Sequence, residues 1–201
     1  MENNSSPGII LGSSSPRRRE ILNFFSIPFS QANPEFDEVQ VSFNGDPVSF
    51  VKEVAHRKAL SLIDRYPKDV ILTADTVVYK KGRLFLKPES LEEAHAMLFE
   101  LSHKEHEVYT GICVVKKKEC FLDVEKSTVL FNELTEPQIR SYLDTFSPLD
   151  KAGAYAIQKA GSLIVKRIEG CYYNIMGLPI QTAHRLLLKA GINLWDYLKS
   201  V

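Results

Sequence analysis

The stretch "GIILGSSSPRRRE", Gly8 to Glu20, sets oxygen-binding side chains close together. The hydroxyls of Ser13 and Ser15 can donate hydrogen bonds, and the guanidinium groups of Arg17 and Arg18 can fork onto oxygens. An apolar run, Ile9 to Leu11, leads into Gly12 and the serines, and Pro16 then opens a helix with Ser15 as its expected N-cap. A strand, a small-residue loop and a helix start form a cradle for phosphate or carboxylate. Cations at that helix end oppose the dipole by roughly 0.3–1 kcal/mol per exposed charge. A bound anion accounts for Arg17 and Arg18 there, with Arg19 pointing into water; the alternative is a solvated basic turn.

Two further features are out of place for a plain core. Asp75 interrupts the apolar run "VILTADTVV", and a buried carboxylate without a partner costs several kcal/mol or stays protonated, at about that order. Lys58 falls on the helical stripe of Val51, Ala55 and Leu62, so it either snorkels to water or reaches into a cleft. "DVILTADTVVYKKGRLFLKPES" reads as a hairpin turning at Lys81-Gly82, which sets Thr76 opposite Lys87 with Asp75 diagonal to it. The segment from Asp150 to Pro179 is rich in glycine, charge and tyrosine and reads as a substrate-lining stretch. Together these pieces suit phosphoryl or pyrophosphoryl chemistry: several cations for a polyphosphate, and carboxylates (Asp75 with Glu35, Asp37 or Glu38) to hold Mg²⁺ or position water.

The elements that must position these groups interleave. Asp46-Pro47 starts a long helix, Ser90 and Glu93 have the spacing of a capping box, Thr135 and Gln138 repeat it, and Pro179 and Gly191 bracket a later helix. Strands are expected at Glu107–Lys116 and Cys120–Phe131, and a first helix at about residues 16–25. The fold class expected is α/β: a mixed twisted sheet flanked by helices, with two lobes around a cleft, in one domain spanning residues 1–201. With 25 basic and 25 acidic residues the chain is not a nucleic-acid coat or a polybasic membrane protein. No run has the length of a membrane span and no signal peptide is evident. Three cysteines without a CxxC pair fit a reducing cytoplasm. His103 and His106 read as surface residues, His56 and His95 as helix-face residues, Cys113 as a small core residue, and Trp195 as the anchor of a C-terminal helix.

The ordered blocks "LGSSSPRRREIL", "EVAHRKA", "ILTADTVV", "LKP", "HEVYTGI", "DKAGAYAIQ" and "IEGCYYNIMGLP" resemble those of the Maf (septum-formation) family, from Ile9 to Leu188. The resemblance implies a fold similar to inosine-triphosphate pyrophosphatases. It also implies a divalent-metal-dependent hydrolysis of nucleoside triphosphates to monophosphate and pyrophosphate, modified nucleotides included, and a homodimer. "DKAGAYAIQ" resembles the branch preferring dTTP and UTP. The family's proton acceptor then falls on Asp75, its selectivity residues on Arg17, Thr76 and Gln158, and other polar site residues on Ser13, Ser15, Arg18, Glu38, Lys58 and Lys87. Departures are Leu86 before Lys87, Lys159 after Gln158, and Cys171 where the family has Asp.

The expected mechanism has Mg²⁺ or Mn²⁺ held by Asp75, Glu38 or both, cations on the phosphate oxygens, and water attacking the α-phosphorus in line. Asp75 takes the water's proton or mainly binds metal; the sequence leaves both open. The rival readings are a nucleotide-sensing module without catalysis, acting in cell division, and a nucleotidyltransferase.

Overall fold

In the computed structural model, residues 8–158 and 160–199 are described. The chain opens β1 (Ile9–Gly12), α1 (Pro16–Leu22), β2 (Phe29–Ala32) and α2 (Pro47–Ile63). It continues through β3 (Val70–Lys80), β4 (Arg83–Phe85), α3 (Leu91–Leu101), β5 (Glu105–Lys116) and β6 (Glu119–Phe131). After α4 (Glu136–Thr145) come α5 (Gly161–Ile164), β7 (Val165–Glu169), α6 (Tyr172–Met176) and α7 (Ile180–Lys189). The strands form one seven-stranded sheet in the order β2-β1-β3-β5-β6-β7, with β4 also on β3. β1 runs parallel to β2 and β3, and the other pairings are antiparallel, so the sheet is mixed as expected.

Register creates the cleft. β5 pairs with β3 from Val70 to Tyr79. On the opposite edge of β3, β1 stops at Gly12, opposite Thr73, and the antiparallel β4 reaches back only to Phe85, opposite Val78. Residues 74–77 therefore have no strand partner on that edge, and Asp75 and Thr76 sit in the gap. The gap lies at the carboxyl end of β1, where its neighbours β2 and β3 diverge, the usual ligand position in such sheets.

Alternation along β3 and β5 sorts the core into two faces. Ile71, Cys113 and Val115 pack on Ala55, Ala59 and Leu62 of α2, and Val77 and Tyr109 on Phe50, Val51 and Val54. The other face carries two clusters at opposite ends of the long strands. Leu72, Ala74 and Val114 meet Ile21, Leu22, Leu186 and Leu187 of α1 and α7. Val78 and Val108 meet Leu98, Leu101 and Ile139 of α3 and α4. These clusters are the two lobes, and the gap lies between them.

Gly111 lets α2 lie on the sheet. A Cβ there would come within 2.4 Å of the Val51 carbonyl oxygen and 2.6 Å of its carbon, contacts with backbone that no rotamer change relieves. Gly111→Ala is expected to lower stability by about 1–3 kcal/mol, read as a shift in the urea midpoint.

Three expectations are corrected. Trp195 is 70% exposed and sits on a short 3₁₀ turn, not on a C-terminal helix. Ser15 stands before α1 but its hydroxyl makes no capping hydrogen bond. His106 is 2% exposed, not on the surface; its ring meets Phe131 edge-on, and Nε2 lies 2.9 Å from the Tyr155 hydroxyl. The alternation that buries Val108 buries His106 also.

Burial pushes the His106 pKa from its ordinary 6.5 down to about 4. The unfolded chain binds a proton below 6.5 that the folded chain refuses until about 4. The stability this contributes is complete above the upper value and is lost as pH falls to the lower one, roughly 3 kcal/mol in all. A His106→Gln variant should show a flatter fall in its urea midpoint across that window.

Candidate active site

A cleft of about 1050 Å³ opens at the gap in the sheet. Its lining includes Ser13, Ser15, Arg17, Arg18, Glu38, Lys58, Asp75, Thr76 and Lys87. The sequence-expected residues thus share one cavity, with Gln158 as the exception.

Lys58 is the centre of the acidic part. It projects from the buried stripe of α2, with Val51, Ala55 and Leu62 fully buried around it. Its ammonium donates to Asp75 Oδ1 at 2.7 Å and lies 2.6 Å from Glu38 Oε1. The ambiguity between snorkelling and reaching inward is resolved: Lys58 reaches in. Its charge is engaged by two carboxylates, so it holds them in place rather than standing free for phosphate. Asp75 is 6% exposed and Lys58 8% exposed, and a buried carboxylate needs such a partner.

Of the three loop acids only Glu38 joins the cleft lining. Asp37 caps the 3₁₀ turn Glu38–Gln40 by accepting from the Val39 N–H, and Glu35 faces Arg65 at 3.6 Å. Partial burial works against the charged form of Glu38. Attraction to Lys58 and its hydrogen bond, with Lys87 and Arg18 adding, outweigh that and hold the carboxyl below its ordinary value.

Arg18 organises the opposite wall. Nε donates to the Gly177 carbonyl at 2.8 Å, Nη1 to Ser13 Oγ at 3.2 Å and Nη2 to Thr76 Oγ1 at 3.0 Å. Ser13 Oγ also accepts from the Ser15 N–H at 3.2 Å. Thr110 donates to the Asn174 carbonyl, so across the 3.0 Å contact Thr76 donates to Thr110. One chain of hydrogen bonds ties the Ser13 loop, β3, β5 and α6 together. Burial lowers the Arg18 pKa against the pull of Asp75 and Glu38, and a guanidinium stays charged even so. Much of its fork is spent on the protein, more than the sequence suggested.

The mouth carries two half-buried cations and the exposed Lys87. Arg17 Nη1 donates to Asp150 Oδ2 at 3.1 Å, and Lys151 pairs with Asp150 Oδ1. Lys87 follows β4; the β3–β4 ladder ends at Val78–Phe85, so Thr76 and Lys87 share the cleft without strand pairing. Gln158 is outside the lining, its amide donating to Glu20 Oε2 at 3.2 Å. Asp150, Lys151 and Tyr155, from the stretch expected to line substrate, also line the cavity, as do Phe36 and Phe43, which were not expected there. The charge pair opening the Gly-rich segment was the signal for the first two. Lys159 lies outside the described residues.

Asp75 and Glu38 are the residues of the cleft that could hold a divalent cation. Two hard oxygen donors converge on one point, Lys58 Nζ, in a cleft lined with cations. Among the described residues no group of three or more His, Cys, Asp or Glu forms a protein-only cage. A pair of carboxylates completed by substrate phosphates is the usual arrangement for Mg²⁺.

A dTTP/UTP pyrophosphatase of Chlamydia felis (strain Fe/C-56) is 48% identical over 193 residues, 96% of this chain and 98% of its own length. A dTTP/UTP pyrophosphatase of Acholeplasma laidlawii (strain PG-8A) is 46% identical, covering 86% of this chain and 91% of its own. Among solved structures, the Staphylococcus aureus Ham1 protein has a TM-score of 0.49 at 13% identity, over 92% of this chain and 100% of that one. The family model for Maf-like proteins matches residues 8–190, and the chain belongs to that family.

Proposed function

We propose that this protein hydrolyses nucleoside triphosphates, dTTP and UTP foremost, to the monophosphate and pyrophosphate. The observation that carries this reading is the convergence of Asp75 and Glu38 on Lys58 inside a cleft also lined by Arg17, Arg18, Lys87 and Lys151. A carboxylate pair beside several cations matches the demands of a polyphosphate substrate and of a water that must lose a proton. The pyrimidine preference rests on the relatives at 48% and 46% identity, both dTTP/UTP pyrophosphatases.

In this mechanism the triphosphate enters past Arg17 and Lys151, whose ion pairs with Asp150 are exchanged for phosphate oxygens. Lys87 neutralises the tail, and the hydroxyls of Ser13 and Ser15 with the Arg18 guanidinium set its position. Asp75 and Glu38 are the residues that would hold a divalent ion, which would supply charge neutralisation on the phosphates. Lys58 fixes one Asp75 oxygen, leaving the other to orient a water toward the α-phosphorus and take its proton. Thr76, locked by Arg18 and Thr110, borders the site on the other side. Pyrophosphate is the leaving group, its charge met by the same cations that bound it.

The test is a panel of canonical and modified triphosphates with Mg²⁺ and the pure chain, products identified. Pyrophosphate and monophosphate, formed fastest from dTTP and UTP, support the proposal. Diphosphate and inorganic phosphate would overturn the reaction, and a purine preference would overturn the substrate assignment.

A further inference from the structure

Two cysteines that line no part of the cleft lie against each other on the sheet. Cys113 on β5 and Cys120 on β6 bring their Sγ atoms to 3.4 Å. The ladder pairs Cys113 with Leu122 and Val115 with Cys120, so the two are diagonal neighbours on adjacent antiparallel strands. Cys113 is fully buried beside Ala55 and Ala59 of α2, whereas Cys120 is exposed next to the hairpin turn at Lys117 and Lys118. One sulfur is thus open to a reagent and the second lies directly beneath it.

We infer that Cys113 and Cys120 form a dithiol modification site, which takes a low-molecular-weight disulfide at Cys120 and closes to an intramolecular disulfide. The hydrogen bond from Cys113 draws the Cys120 thiol down to about 7 against partial burial. The same contact, then burial, pushes Cys113 up. Cys120 therefore ionises first and is the attacking sulfur.

With glutathione disulfide the Cys120 thiolate attacks one sulfur, the glutathione S–S bond breaks, and one glutathione thiolate leaves with the electron pair. Cys113 then passes its proton to that thiolate through solvent, and its sulfur attacks Cys120 Sγ and expels the second glutathione. Two protein thiols are oxidised and one glutathione disulfide is reduced to two thiols. The sulfurs must approach from 3.4 Å to a bond of about 2.05 Å, a shift within reach of side-chain rotation and a slight movement of the hairpin end.

The test reads sulfur, not turnover. The reduced full chain is incubated with oxidised glutathione and followed by intact mass and peptide mapping. Expected are a transient glutathionyl adduct on Cys120, then a product lighter than the reduced chain by two hydrogens, with Cys113 and Cys120 cross-linked and dithiothreitol reversing it. Cys113→Ala should stop at the mixed disulfide, Cys120→Ser should give neither species, and Cys171→Ser should leave the reaction unchanged. A wild-type adduct on Cys120 that never closes, a cross-link through Cys171, or an unreactive Cys120 would overturn the inference.

Discussion

Asp75→Asn is expected to lower kcat by about 10²–10⁴-fold, the range for loss of a general base, with KM little changed. Asn has the shape of Asp, and its amide oxygen can still accept from Lys58 Nζ, which lies 2.7 Å from Asp75 Oδ1. The fold should therefore survive, and urea unfolding checks that it does. What the variant loses is the negative charge and proton affinity at the one carboxylate on the unpaired edge of β3. The arginines and lysines that line the cleft are untouched, so with Mg²⁺ saturating the effect belongs in kcat. Near-normal turnover in a folded Asp75→Asn protein would reject the assignment.

Lys58→Met carries the second large effect. It keeps the length of the side chain in the stripe of α2 but leaves two carboxylates facing each other without a cation. Removing one partner of a buried pair typically costs 3–5 kcal/mol, and about 3 kcal/mol is expected here because Glu38 can turn toward water. The Glu38 side chain is 45% exposed, against 8% for Asp75. At a slope of about 2–3 kcal/mol/M this moves the urea midpoint by about 1–1.5 M. Combining Lys58→Met with Asp75→Asn should restore part of the loss, since one unpaired charge is gone; the coupling is read from a double-mutant cycle. Lys58→Met with wild-type stability would show that the pair is not the anchor of the acidic wall.

The chemistry of the site was more legible in the sequence than its geometry. Asp75 in an apolar run and Lys58 on an apolar stripe were each anomalous against a local periodicity, and in the structure the anomalies meet. The β3–β4 turn at Lys81-Gly82 was also legible, since both residues have positive φ, 47° and 88°. Choosing Glu38 over Glu35 and Asp37 came only from the family resemblance, because an irregular loop has no period from which a facing can be read. The gap that admits substrate depends on where β1 stops relative to β4 along β3, a matter of register between distant segments. Arg17 with Asp150 and Gln158 with Glu20 are contacts across 133 and 138 residues, invisible to any local pattern. His106 was misjudged because a polar residue type was weighed above the strand alternation that buries it.

Hydrolysis of dTTP in ¹⁸O-enriched water, with Mg²⁺ and mass analysis of both products, is the most direct check on a base at Asp75 aimed at the α-phosphorus. The account predicts one heavy oxygen in dTMP and none in pyrophosphate. Label in pyrophosphate, or release of dTDP with inorganic phosphate, would place the attack at another phosphorus and contradict it.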